Sequence, residues 1–456
     1  MSYSKREYDI VVIGTGASGA TVAYKCKRAG WDVAVIDSNP FGGTCAVRGC
    51  DPKKVLIGFS ELVDSFRRIE GLGIKAADFT IDWKALMKFK RTFTDPVPEN
   101  REKGYRKAGI DTYHGRAHFM GKDTLEVGGE VLKARYFMIG AGSTPRKLGV
   151  PGEEFVIYSH DFLELDELPE RIVFIGGGYI SFEFAHIAAM AGSRVTIIHR
   201  SAKALKRFDQ DIVKWVLKAV NDKGIDVHLN TPLDSIEEVK DSLGKHLVVQ
   251  TKGESNLALQ ADLVVHGAGR VPDIADMNLE KAGVDYDEKG IKVNEYLQSV
   301  SNPNVYSAGD AAATRGFPLT PVATLEGYTA ASNILKGNSK IPDYNGIPTV
   351  TFTIPPLASV GLTEEQAKKE GLNYRVNMGE TSGWYSSRRI AEKHSGYKVI
   401  LEEKTDRLIG AHLFGPHAEE VINIFAIAIR NNLKASALRY MPYSYPTASS
   451  DISYMI

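Results

Sequence analysis

The chain has 456 residues, about three times the ~150 residues typical of one domain, so two or three hydrophobic cores are expected and a lone small binding module is excluded. Hydrophobic residues make up 43% and charged residues 25%, with 43 Gly and 19 Pro, an ordinary globular usage that excludes disorder and collagen-like structure. The 56 Lys and Arg balance the 56 Asp and Glu, which removes any general attraction to nucleic acid or an anionic membrane. The longest apolar stretches, such as Ile422 to Ile429, fall short of the ~20 residues of a membrane helix, and the polar start MSYSKREYD lacks the apolar core of a secretion signal. A soluble, cytoplasmic protein with no nucleic-acid or membrane partner is expected.

The first segment, YDIVVIG, is a short apolar strand that runs into G-T-G-A-S-G and a helical stretch ending near Gly30; WDVAVID is a second strand. In this βαβ unit Gly14 allows a tight turn, Gly16 lets the backbone approach a pyrophosphate, and Gly19 lets helix and strand pack closely. The helix N-terminus faces the phosphates. Asp37, at the end of the second strand, is placed to accept from a ribose diol.

Next comes FGGTCAVRGCDPKKVLIG, which holds two of the three cysteines. Cys26, in the helical pattern TVAYKCKRAG, reads as a packed thiol. Cys45 and Cys50 are close enough to close a small disulfide loop, and in a reducing compartment such a pair is catalytic or metal-binding. No further Cys or His stands at zinc-ligand spacing. Pro52 and the apolar run after it put Cys50 at or near a helix start, where the dipole stabilises a thiolate. A redox pair beside a nucleotide unit implies electrons passing from a bound cofactor to sulfur, with a flavin as the usual relay from nicotinamide to thiols.

The βαβ pattern recurs as RIVFIGGGYIS, FEFAHIAAMAG and SRVTIIHR, with Gly176 and Gly178 in the turn and Ser181 at the third small position. At the strand end His199 and Arg200 replace an acid. Arg200, followed by Lys206 and Arg207, could hold a 2′-phosphate by charge-assisted hydrogen bonds, so NADPH is preferred to NADH; the competing reading is a solvated basic face. From Pro342 the texture changes to IPTVTFTIPPLASVGLT, the alternating GYKVILEEK and LIGAHLFG, and the helical run EEVINIFAIAIRNN, which together read as an antiparallel sheet with helices.

GGTCAVRGCDPKK resembles the redox-disulfide motif of the pyridine nucleotide-disulfide oxidoreductases, the family of glutathione reductase, dihydrolipoamide dehydrogenase and mercuric reductase. IGAGSTPRKLGVPG, GAGRVPD, VYSAGDAA and LTPVATLEG extend the resemblance over nearly the whole chain. It implies an α/β fold with two Rossmann-like dinucleotide-binding domains and a C-terminal α+β dimerisation domain. FAD would occupy residues 1–150 with 271–341, NADPH residues 151–270, and the dimer interface residues 342–456. The cofactor positions it implies are Gly14, Gly16, Gly19, Asp37, Gly43, Thr44, Gly142, Asp310 and Thr320 toward FAD. Gly176, Gly178, Tyr179, Arg200, Lys206 and Gly269 complete the set, with Tyr179 covering the flavin until nicotinamide displaces it. Cys45 would be the outer thiol that attacks substrate and Cys50 the inner thiol that forms a charge-transfer complex with flavin. Lys53 and Glu183 would pair beside the flavin N5, whereas from the residues alone Lys53 reads as a surface helix position and Glu183 as solvated. A small-molecule acceptor and a homodimer are implied, the dimer formed in part by the helix with Ile422, Ile424, Phe425, Ile427 and Ile429, which could equally be monomer core.

The chain also departs from its family. Where the disulfide reductases carry H-P-T-x-x-E, it has Tyr445, Pro446, Thr447, Ala448, Ser449 and Ser450, so the His–Glu acid–base pair is missing. A phenol is a poor base at neutral pH but donates a hydrogen bond, so Tyr445 stays a candidate for the chemistry. Mercuric reductases are similar in carrying Tyr there but add a C-terminal cysteine pair, and this chain ends SYMI. Asp51, beside Cys50, would oppose thiolate formation unless Arg48 offsets it. Three functions are compatible: an NADPH-dependent FAD enzyme reducing a disulfide or other thiol-reactive acceptor, which the intact pair favours; a mercuric-reductase-like metal reductase; and a flavin-bearing redox sensor with little turnover.

Overall fold

The structure, a computed structural model, describes residues 5–75, 79–241, 244–253 and 255–456, so part of the polar start lies outside the described residues. Its chain forms two compact units. The first comprises the chain up to Pro52 with Phe89–Arg146 and Arg270–Tyr344; the second comprises Lys53–Lys88, Lys147–Gly269 and Asn345–Ile456. Residues 53–88, expected with the FAD segment, therefore group with the second unit: Leu56, Ile57, Trp83, Leu86 and Met87 bury into the core built around Phe174, Phe182 and Val216.

In the first unit the strands Asp111–His114, Val33–Asp37, Lys5–Ile13 and Glu130–Ile139 lie side by side and parallel, with Val305–Ser307 added on the far side of Glu130–Ile139. Val33 to Ile36 are buried in succession, as a strand covered on both faces requires. The helix Ala17–Arg28 follows the first strand and packs on the helix Thr320–Lys336, where a side chain at Gly327 would meet the Ser18 carbonyl at 2.8 Å.

In the second unit Ile225–His228, Arg194–Ile198, Arg171–Ile175, Leu263–His266 and Val156–Tyr158 form a parallel sheet. The C-terminal segment builds the expected antiparallel sheet, Thr349–Thr351, Leu357–Gly361, Leu408–Phe414, Gly396–Glu402 and Tyr374–Glu380. Lys398, buried in it, reaches Asp209, Asp211 and Glu364 at 3.0, 2.8 and 2.6 Å, which ties the sheet to the start of the helix Gln210–Asp222. The helix Ala418–Arg430 lies on the sheet. Its Ile422, Phe425 and Ile429 are core residues of the chain itself, leaving Ile427, 61% exposed, on the outer face, so most of the apolar width read for a dimer is spent within one chain. Among the described residues no helix is long and apolar enough to cross a membrane.

A buried histidine gives this unit a pH-dependent stability. His186, in the helix Tyr179–Met190, donates from Nδ1 to the Phe182 carbonyl at 2.7 Å, and burial pushes its pKa down to about 4. The unfolded chain binds the proton more tightly, near pH 6.5, so this contribution is full above that value and is lost as pH falls toward 4. The loss is about 1.4 kcal/mol per pH unit in that window. Urea midpoints at pH 7 and pH 5 should differ more for the parent than for His186→Leu; equal pH dependence contradicts the assignment.

Candidate active site

The glycine turn after Ile13 forms a cradle because it has no room for side chains. A Cβ on Gly14 would lie 2.2 Å from the Gly140 carbonyl oxygen, and one on Gly19 would lie 2.0 Å from the Gly14 oxygen. Gly43, at φ +73°, brings its backbone so close to Gly16 that a Cβ would sit 2.5 Å from the Gly16 Cα. Gly16 caps the helix Ala17–Arg28 without a side-chain hydrogen bond, so the first-turn N–H groups are presented to an anion. Asp37 Oδ2 accepts from the Thr15 N–H at 2.8 Å and from the Thr15 hydroxyl at 2.6 Å, while Oδ1 accepts from the Asn39 N–H at 3.0 Å. Turn and acid are thus locked together, with lone pairs left for a ribose. At the other end of the cradle Ser143 donates to Asp310 at 2.9 Å and accepts from Arg270 at 3.0 Å. Gly142, at φ +73°, precedes this serine. Buried Glu326 accepts from the Gly309 N–H, Thr314 and Tyr344 at 2.6, 2.7 and 2.7 Å and holds the loop that carries Asp310. These donors, acceptors and side-chain-free approaches fit a dinucleotide with a diol and a pyrophosphate, so the residues present suit FAD.

Thr15, Ser143, Arg270 and Glu326 were not singled out from the sequence. Each acts through a partner distant in the chain, which local spacing does not show.

The sulfur pair belongs to the same unit. Cys45 lies in the short helix Gly43–Arg48, next to exposed Thr44, and Cys50 opens the helix Cys50–Ile69, as expected. The two are held as a dithiol, hydrogen-bonded to each other, with the Thr320 hydroxyl 3.9 Å from Cys50 Sγ and also bonded to Cys45. Cys45 Sγ donates to Asp51 Oδ1 at 3.8 Å. The hydrogen bond with Cys50, then burial, raise the Cys45 thiol well above its usual range; Asp51 adds to this and Thr320 opposes it. Arg48 is not among the groups that bear on the Cys45 thiol. Burial lowers the Arg48 pKa, and the carboxylates that bear on its charge are Asp37 and Asp273, at the nucleotide cradle. Cys26 is the packed thiol anticipated, pushed up to about 12 by burial.

In the second unit Lys53 Nζ and Glu183 lie 3.0 Å apart and are 7% and 3% exposed. The residue-level reading of both as solvated is corrected here. Glu183 also accepts from the Phe352 N–H at 2.8 Å, and Lys53 sits 4.2 Å from the centroid of the Phe352 ring, so the ammonium is enclosed by an acid and an aromatic face. Lys53 is three residues along the helix that Cys50 opens.

The second glycine turn repeats the logic of the first. Gly176 approaches Gly267 so closely that a Cβ would lie 2.4 Å from its oxygen, and Gly178 caps the helix begun by exposed Tyr179 without a side chain. The acid position is filled by His199, whose Nδ1 accepts from the Gly177 N–H at 3.0 Å and whose pKa burial lowers. Its ring buttresses the turn as Asp37 does in the first unit. Arg200 and Lys206 beside it are exposed, and Gly269, at φ +113°, ends the segment.

Tyr445 is 78% exposed. Ser450 is buried in a local cap, donating to the Thr447 carbonyl at 2.6 Å and accepting from the Thr447 N–H at 3.2 Å. Its hydroxyl is therefore committed to its own turn.

The chain is similar to known proteins over nearly its whole length. The family described as pyridine nucleotide-disulphide oxidoreductase matches residues 8–327, and its dimerisation domain matches residues 347–456. Glutathione reductase of Burkholderia cepacia is 31% identical over 93% of both chains. Dihydrolipoyl dehydrogenase of Chlamydia muridarum is 31% identical over 96% of this chain and 94% of its own. Mercuric reductase of Bacillus cereus is 30% identical over 98% of this chain and 70% of its own. Among solved structures, the Cu(II) complex of the HOCl-induced flavoprotein disulfide reductase RclA from Escherichia coli superposes with a TM-score of 0.87, at 27% identity over 99% of each chain.

Proposed function

Because the chain belongs to the pyridine nucleotide-disulphide oxidoreductase family, whose members use FAD and a pyridine nucleotide, we propose that it is an NADPH-dependent flavoprotein that reduces a disulfide or another thiol-reactive acceptor through Cys45 and Cys50. The observation that carries this reading is the dithiol set in the same unit as the glycine cradle. Bound FAD supplies a two-electron relay between nicotinamide and sulfur. Gly14, Gly16, Gly19 and Gly43 give its pyrophosphate room, the N–H groups after Gly16 bind the anion, Asp37 takes the ribose, and Ser143 with Arg270 fixes Asp310 toward the remaining polar chain. Lys53, held by Glu183, keeps a positive charge one helical turn from Cys50. Cys45 is half-buried and Cys50 exposed; in the roles the family resemblance gives them, Cys45 attacks the acceptor and Cys50 closes the disulfide.

Arg200 and Lys206, exposed at the strand end where His199 fills the acid position, support NADPH over NADH. Losing a charge-assisted contact costs about 1.5–3 kcal/mol, so Arg200→Glu should shift the ratio of kcat/KM for the two nucleotides by roughly tenfold or more. If variant and parent discriminate equally, the 2′-phosphate is held elsewhere. The exposed Ile427, Tyr440, Met441 and Tyr454 of the segment matching the dimerisation domain support a homodimer. A fully active monomer in sedimentation at micromolar concentration contradicts it.

The experiment for the function is reoxidation of the NADPH-reduced protein by a panel of disulfides, mercuric ion and quinones under anaerobic conditions. Disulfides or other thiol-reactive species are expected to reoxidise it. Exposed Tyr445, with the mercuric reductase similarity, favours the metal ion as a second reading, and fast reoxidation by Hg2+ alone would select it. No reoxidation by any acceptor would leave only a sensor.

A further inference from the structure

We propose that Asp51 is the catalytic acid–base group of this chain: it takes the thiol proton of Cys45 as that sulfur attacks a disulfide, and returns it to the departing thiolate. The inference rests on the disulfide-reducing reading above. Three groups bear on the Cys45 sulfur: Cys50, Thr320 and Asp51. Cys50 is the other reacting sulfur, and a threonine hydroxyl does not give up its proton near neutrality. Asp51 is the carboxylate to which the thiol already donates, at 3.8 Å, and it is exposed, so a proton received there faces the solution from which an acceptor arrives. The two positions that replace the family's His–Glu pair carry no carboxylate: Ser450 is consumed in its own cap and Tyr445 is a phenol.

The local electrostatics give the carboxylate a task. With Cys45 held protonated by Cys50, by burial and by the nearby negative charge, little thiolate is available beforehand, and the proton must leave as the S–S bond forms. In the first step the Cys45 S–H bond breaks toward Asp51, the Cys45 sulfur bonds to one sulfur of the acceptor, and the acceptor S–S bond breaks. The leaving thiolate takes the proton from Asp51 and departs as a thiol. In the second step the Cys50 thiol attacks Cys45, an intramolecular disulfide forms, and the second acceptor half leaves with the Cys50 proton. Dithiol plus disulfide thus becomes disulfide plus two thiols, with two electrons transferred.

The test separates acid–base help from structural support by the choice of leaving group. Protein reduced with dithiothreitol and desalted is mixed with 5,5′-dithiobis(2-nitrobenzoate), whose aryl thiolate leaves without a proton, or with hydroxyethyl disulfide, whose alkyl thiolate needs one. In Asp51→Asn both reactions lose the base that takes the Cys45 proton, a loss the removed negative charge partly offsets in both, but only the alkyl reaction also loses the acid that its leaving thiolate needs. The aryl-to-alkyl rate ratio should rise by about 10²-fold, the lower end of what such groups supply, and Asp51→Glu should return it toward the parent value. An unchanged ratio overturns the proposal. Should Asp51→Asn not fold, the same ratio is read between Asp51→Glu and Asp51→Gln. No NADPH enters the measurement, so a failure of the nucleotide or flavin reading would be seen separately, as a parent protein whose sulfur pair NADPH does not reduce.

Discussion

Cys50→Ser is expected to lower turnover with any disulfide acceptor on the order of 10³-fold or more, as loss of a group that forms an obligatory covalent bond does. Two electrons leave the chain only if an S–S bond forms between residues 45 and 50. A serine cannot form it, so Cys45 attacks once and stays as a mixed disulfide, and a single equivalent of thiol per chain is released before the reaction stops. Cys45→Ser should abolish turnover equally, because the sulfur that meets the acceptor is gone. The two variants separate in absorbance: the charge-transfer complex expected between the Cys50 thiolate and flavin in the reduced protein should give a long-wavelength band that vanishes in Cys50→Ser and persists in Cys45→Ser. A band that survives loss of Cys50 exchanges the roles of the two sulfurs. Sustained turnover in Cys50→Ser removes the pair from the reaction.

Glu183→Ala is expected to destabilise the protein by about 3–5 kcal/mol, the usual result of breaking a buried ion pair from one side. The substitution leaves the Lys53 ammonium without its acid in a site that is 7% exposed, and also strips the Phe352 N–H of its acceptor. The Phe352 ring, 4.2 Å from Lys53 Nζ, offsets only part of that loss. Lys53→Met combined with Glu183→Gln removes both charges while keeping an amide oxygen for the Phe352 N–H, so the double variant should recover much of the stability that Glu183→Ala loses. Urea midpoints for the two variants against the parent measure this. A loss below about 1 kcal/mol in Glu183→Ala would mean that water reaches Lys53 and the pair is a surface interaction.

The parts of this fold that announce themselves in sequence are those enforced by local sterics. Gly14, Gly19 and Gly176 are legible because each stands where strand, turn and helix leave no room for a Cβ, and the run Val33–Ile36 is legible because a strand covered on both faces needs apolar residues in succession. What is hidden depends on which distant partner a side chain meets. Glu183 in FEFAHIAAM carries no mark that Lys53 lies against it, and without that partner a glutamate in a helix reads as solvated. His199 looked like an acid lost, yet it takes the turn N–H just as Asp37 does, a likeness of hydrogen bonding across residue types. That the charges of Asp37 and Asp273 bear on Arg48 is equally hidden, because both carboxylates are distant from it in the chain. In the helix Ala418–Arg430 composition alone does not say whether isoleucines face their own sheet or a second chain. Ile422 and Ile429 face the sheet, and Ile427 does not.

The most direct measurement of the central claim is a thiol count during anaerobic titration of the oxidised protein with NADPH. Each aliquot is quenched in acid, and the thiols of the unfolded chain are counted by alkylation and mass spectrometry. Buried Cys26 contributes one thiol throughout. One equivalent of NADPH per chain is expected to raise the count from one to three, with both new labels on Cys45 and Cys50. Flavin bleaching with the count still at one would show that the electrons stop before the sulfurs, and would contradict the account.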